Sequence, residues 1–326
     1  MSSSDIDKIA YLLNIGNYLL EIVGLIIIII STIGNLCNYI VFVYISPLNK
    51  HPNALFIIGS SIGSLIFINT GLLTTIIQLL TGINLLEQSL FWCKINLWLT
   101  YSSGCFSFMC YCFAAFSQFL LTLPKIKWQR LITPIRAQIM ILLTALIWLL
   151  IFIPLPIFYN HIQISTTITC INLNSFINLY ASCGIIIGYY GIPILLILIL
   201  FSLTWYNMRQ LLIRRRSLEG AVTRMMLIQM NIILMSGIPA GICIIYILST
   251  QYYSKPPLRT AYEYVVGISI VLFTFFTNGI TFWIYLFASK TFRKHLKRFF
   301  ISKWNFLRNR ILPLTILTTR TNNTAR

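Results

Sequence analysis

IVGLIIIIISTIGNLCNYIVFVYI, residues 22–45, contains no charged side chain. Coiled as an α-helix, its twenty-four residues run about 36 Å, more than the ~30 Å hydrocarbon core of a bilayer. Six more such runs follow, at 55–80, 90–123, 137–159, 176–206, 222–248 and 262–288. The chain is 58% hydrophobic and 9% charged, where a soluble domain is about a quarter charged. The reading is an all-α membrane protein. A seven-transmembrane-helix bundle fills 22–288, after a short extracellular N-terminus, 1–21.

The net charge of +18 raises nucleic-acid binding, but its placement argues against that partner. Twenty of the twenty-four Lys and Arg residues lie on alternate connections or on the tail, among them Lys125, Lys127, Arg209, Arg214, Arg215, Arg216 and Arg224. Lys8, Lys94, Lys255 and Arg259 fall on the other side with five of the six acids, Asp5, Asp7, Glu21, Glu87 and Glu263. The positive-inside rule then puts the tail in the cytoplasm and the N-terminus outside, as in a multi-pass plasma-membrane protein. The basic loops also suit anionic membrane lipid. Met1–Asn17 is polar and acidic without a basic leader, so the first span is expected to act as its own insertion signal.

No acid or base lies deep in a run, which weighs against a proton pump, an ion-coupled carrier or a charged-ring channel. His51, His161 and His295 are dispersed over connections and tail. They assemble no metal site, and neither an enzyme nor a cofactor is expected. The uncharged polar residues Asn35, Asn38, Ser64, Asn69, Gln78, Gln118, Gln229, Asn231 and Asn278 suit hydrogen bonds between helices. Cys93 and Cys170 both lie on the outer side. An oxidising compartment there favours a disulfide over two free thiols, and the bond would tether the fourth-to-fifth connection over the bundle mouth.

Pro239 removes a backbone donor from the sixth run, and Gly237 and Gly241 flank it. That makes it the expected hinge of the span. Residues 289–301 carry apolar residues at 292, 296, 299 and 300 with basic residues between, the pattern of a short amphipathic helix on the inner leaflet. Ser289 can cap it. Residues 302–326 form a cytoplasmic tail with no cysteine for a lipid anchor.

Gly34-Asn35, Cys93 with Cys170, Trp148, Pro193, Pro239, and Tyr285 followed seven residues later by Phe292-Arg293 form an ordered set. Over about 34–300 this set resembles the rhodopsin-like G-protein-coupled receptors. The resemblance implies a receptor for an unidentified extracellular ligand, peptide-like or small-molecule and chemosensory. It would activate a heterotrimeric G protein by outward motion of the sixth helix. Arg214, Arg215, Arg216 and Arg224 would line the docking face. The ligand pocket would lie among spans three, five, six and seven, with Thr100, Tyr101, Gly104, Tyr189, Ala240, Ile244, Val271 and Phe275 as candidate lining.

The chain departs from the family at its switch positions. Ser64 replaces the span-two aspartate that builds a sodium site. Ser117-Gln118-Phe119 stands for Asp-Arg-Tyr, Gly237 for the span-six tryptophan, and Thr281-Phe282-Trp283-Ile284-Tyr285 for Asn-Pro-x-x-Tyr. Such drift is similar to that of lineage-expanded invertebrate receptors. The switch set would be Gln118, Glu219, Gly237, Pro239 and Tyr285. Gln118 can hydrogen-bond Glu219, or Glu219 can pair with Arg215 or Arg216. Thr100 stands where amine receptors carry an aspartate, so span three lacks that counter-ion. Span seven has no lysine for a retinal. The alternative is a non-signalling seven-span carrier, or a receptor-fold remnant that has lost coupling.

Overall fold

The computed structural model describes residues 3–45, 53–164, 167–211, 218–250, 253–290 and 292–301. Seven helices among them are long and apolar enough to cross a membrane: Ser4–Tyr44, Ala54–Thr81, Leu90–Thr122, Pro134–Phe158, Ser175–Arg209, Thr223–Thr250 and Pro257–Gly279. They are called helices one to seven here. Helix three lies at the centre, against helices two, four, five and six.

Helix one starts far ahead of Ile22. Its 41 residues reach about 60 Å, twice the hydrocarbon core. Ile9, Leu12, Gly16 and Leu20 turn toward the bundle at helical spacing, while Ile6, Ala10, Tyr11, Leu13, Asn14 and Tyr18 stay exposed. This narrow seam lies along helix seven: a Cβ on Gly16 would meet Tyr264 Cε1 at 2.6 Å, and the Tyr264 hydroxyl donates to Asn17 Oδ1 at 2.7 Å. Low average hydropathy hides such a seam, because only one residue in three or four needs to be apolar.

Helix seven ends at Gly279, and Thr281–Ala288 continues as a separate helix. Helices one and seven cross closely here. A Cβ on Gly279 would collide with Ser31, and one on Gly34 would lie 2.5 Å from the Gly279 carbonyl. Asn35 Nδ2 donates to the Asn278 carbonyl at 3.2 Å, which explains the Gly34-Asn35 pair. Trp148 of helix four packs on Gly188 of helix five, where a Cβ would strike the indole.

The helix at 292–301 is present. Ser289 Oγ caps it, accepting from Phe292 N at 3.1 Å. The Phe292 ring is buried against Tyr285 and Phe282, with centroids 5.9 and 6.0 Å away. Leu296 and Phe299 also pack on the bundle, while Lys294, Lys297 and Arg298 are exposed. The end of the bundle bearing this helix is the basic end.

At the opposite end Cys93 and Cys170 form a disulfide with Cα atoms 5.7 Å apart. Cys170 belongs to a hairpin absent from the sequence reading, in which Asn160–Ile164 pairs antiparallel with Thr167–Ile171. The hairpin lies on helix three and on a short helix, Leu85–Gln88. His161 Nε2 donates to the Leu86 carbonyl at 2.7 Å and joins the two.

Candidate functional site

A cavity of about 400 Å3 opens at the disulfide end between helices two and three, Leu85–Gln88 and the second hairpin strand. Its helix-two wall is shaped by a π-helical turn, Asn69–Leu73. Such a turn inserts an extra residue and re-aims the side chains after it. Here the inner wall becomes polar. Thr100 Oγ1 lies 2.9 Å from Thr70 Oγ1, and Asn96 Nδ2 donates to the Thr70 carbonyl at 2.9 Å. Tyr159, Thr169 and Ile171 close the hairpin side, and Glu87 stands on the short helix. Burial pushes the Tyr159 phenol up, so its hydroxyl stays protonated at neutral pH.

Below the cavity the bundle is filled. Phe67 stacks on Phe275 at 4.7 Å, and Tyr189 meets Phe108 at 4.3 Å and Phe67 at 5.6 Å. Gly104 leaves room for both rings; a Cβ there would be 3.0 Å from each of Phe67 and Tyr189. A second π turn, Ile186–Gly191, carries Tyr189 into this cluster.

Uncharged hydrogen bonds run from the cluster toward the basic end. Asn278 Nδ2 donates to the Tyr189 hydroxyl at 3.0 Å. Ser64 Oγ lies 2.7 Å from Ser107 Oγ and 3.4 Å from Asn278 Oδ1. Ser64, Ser107 and Asn278 thus make a neutral junction between helices two, three and seven. Further along, Tyr111 and Gln229 both meet Thr281, at 3.2 and 3.0 Å, and the Tyr285 hydroxyl donates to Gln229 Oε1 at 2.8 Å.

At the basic end Gln118 is buried and bridges three helices. Asn53 Nδ2, just before helix two, donates to Gln118 Oε1 at 2.8 Å. Gln118 Nε2 donates to Thr223 Oγ1 of helix six. Among the described residues Gln118 thus has Asn53 and Thr223 as partners, the latter one helical turn beyond Glu219. The Glu219 side chain lies outside the described residues, as do Arg214, Arg215 and Arg216, and with them the expected Glu219 pairings. Arg224 is exposed beside this contact.

Helix six is held differently at its other end. Glu263 of helix seven receives Lys255 at 2.6 Å, Arg259 at 3.0 Å and the Tyr246 hydroxyl at 2.6 Å. A charged clasp holds helix six to helix seven at the disulfide end, and neutral hydrogen bonds hold it at the basic end. Pro239 lies between them. Gly237 beside it is closely packed: a Cβ would approach Ile194 Cδ1 at 2.9 Å. Its smallness admits helix five and does not loosen the segment.

No protein-family model and no curated protein matches this chain. What the structure shows is a seven-span membrane protein with a tethered mouth and a neutral closure.

Of the sequence-derived pocket residues, Thr100 lines the cavity. Gly104, Tyr189 and Phe275 form the aromatic floor. Tyr101 packs edge-on to Phe152 at 5.7 Å. Ala240 is buried, Ile244 half-buried, and Val271 exposed on the bundle surface. Glu87, Asn96, Thr70, Asn53 and Thr223 were not singled out by sequence. Asn53 and Thr223 carried one signal, as small polar residues at the ends of otherwise apolar runs.

Proposed function

We propose that this chain is a G-protein-coupled receptor whose resting state is held by Gln118 in place of the family's arginine. The observation that carries the reading is the bridge from Asn53 through Gln118 to Thr223 at the basic end. It occupies the place of the family's helix-three to helix-six lock, on a continuous helix that carries Pro239 at mid-length. A hydrogen bond between helices contributes about 0.6–2 kcal/mol in a membrane. A lock of that size opens under a ligand with a modest preference for the open state.

The positive-inside pattern supports an orientation with the disulfide mouth outside the cell and the basic end in the cytoplasm. Opening of helix six about Pro239 would bare the face bearing Arg224 and the basic connection before it, and a heterotrimeric G protein would dock there. The clasp on Glu263 supports this direction of motion, because charged contacts hold the outer end of helix six while only neutral hydrogen bonds hold the inner end.

The test is a panel of G-protein dissociation assays in cells expressing the chain, challenged with peptide and odorant libraries. At least one ligand should dissociate one G protein, and Cys93→Ser should remove the response. If Gln118→Arg restores coupling to a chain that is otherwise silent toward every ligand, the chain is a receptor-fold remnant and the proposal fails.

A further inference from the structure

The geometry points to a small ammonium-bearing ligand in the disulfide-end cavity, with its charge on Glu87 and its ammonium hydrogens on the threonines opposite. The inference deepens the receptor reading, and rests on it only for what the bound ligand does.

Glu87 is the one charged residue of the lining. Among the described residues its carboxylate makes no ion pair; both ion pairs at this end belong to Glu263. Glu87 is half-buried on a short helix pinned from both sides. Asn84 Oδ1 caps that helix at Leu86 N, 3.1 Å away, and His161 holds the Leu86 carbonyl. The carboxylate thus stands on a rigid support at the cavity rim.

The opposite wall is built of acceptors. Each threonine hydroxyl has one proton, and each is already used. Thr74 donates to the Thr70 carbonyl at 2.7 Å and Thr75 to the Gly71 carbonyl at 2.9 Å. Thr100 donates to the Asn96 carbonyl at 2.8 Å and Thr169 to the Ile162 carbonyl at 3.3 Å. The four threonine hydroxyls thus offer a ligand lone pairs, while donors remain on Asn84, Asn96 and Tyr159 around them. An unpaired carboxylate with threonine lone pairs beside it disfavours anions and fits a cationic group with several donors, which describes an ammonium. A divalent metal would need more anionic oxygen than one carboxylate supplies. Leu97, Tyr159 and Ile171 provide apolar surface for the ligand's carbon skeleton. The volume is at the lower end for small-molecule sites, which suits a single aromatic or short aliphatic amine. Span three lacks the family's counter-ion, and the short helix before it supplies one at a different place.

The test uses the purified full chain in lipid nanodiscs, with melting temperature as the readout and no G protein present. Phenethylamine should raise the melting temperature saturably, while 2-phenylethanol and phenylacetate should do so weakly or not at all. Glu87→Gln should melt as the parent does without ligand and bind phenethylamine roughly tenfold more weakly. Equal shifts from the amine and the alcohol would overturn the inference. So would no shift with phenethylamine or pentylamine at millimolar concentration, or unchanged affinity in Glu87→Gln. Binding without signalling would leave this site standing and remove the receptor reading; signalling from other ligands without amine binding would do the reverse.

Discussion

Gln118 shows how an uncharged side chain can be satisfied at a buried junction of helices. An arginine buried here would need an anionic partner. A glutamine needs one donor and one acceptor, and Asn53 and Thr223 supply them. Gln118→Leu and Thr223→Val should each lower stability by about 1 kcal/mol. The double variant should cost less than the sum, because both remove the same bond; thermal melts of the four proteins in nanodiscs measure the coupling. Gly279 is a second residue whose identity is forced by packing. Gly279→Ala drives a Cβ into Ser31 and should cost about 1–3 kcal/mol, read as a lower melting temperature and less surface protein. Gly267 has no atom within 4 Å of its hypothetical Cβ, so Gly267→Ala is the matched control and should be neutral.

Among the elements, the outer hairpin and the helix at 292–301 attach to the bundle in opposite ways. The hairpin is fixed covalently through Cys93–Cys170, closing a loop of 77 residues. Chain entropy assigns such a loop about 4 kcal/mol, reduced here because the bilayer already restrains both ends. Cys93→Ser should abolish surface expression or ligand response, and Cys93→Ser with Cys170→Ser should be no worse than either alone. The other helix is fixed by packing, with Phe292 as its most buried side chain, and Phe292→Ala should cost about 3–5 kcal/mol in a melt.

The 292–301 helix was legible in sequence, because its period and its Ser289 cap are local. The hairpin was not. Its strands are rich in β-branched residues, Ile162, Ile164, Thr167, Ile168, Thr169 and Ile171, but the pattern is short and sits between two much stronger helical runs. The N-terminal extension of helix one was hidden for a different reason. Its apolar seam has meaning only once helix seven is beside it.

For the whole molecule, apolar length gave the seven spans, and the cysteines gave the tethered mouth. The location of the cavity was not legible. Spans three, five, six and seven were expected to enclose it, but Phe67, Phe108, Tyr189 and Phe275 fill that space, and the π turn in helix two opens room on the other side of helix three. A π turn leaves no mark in composition or periodicity, so only coordinates reveal it. The proposed orientation rests on charge asymmetry and predicts that an epitope tag on the N-terminus of intact cells is accessible to antibody without permeabilisation. The central claim is that a neutral contact between helices three and six restrains a coupling-competent receptor. It is tested most directly by basal G-protein dissociation for Thr223→Val against the parent at equal surface expression. Loss of the contact should raise basal dissociation of at least one G protein above the parent level. Dissociation no higher than in the parent, across the whole panel, would contradict the account.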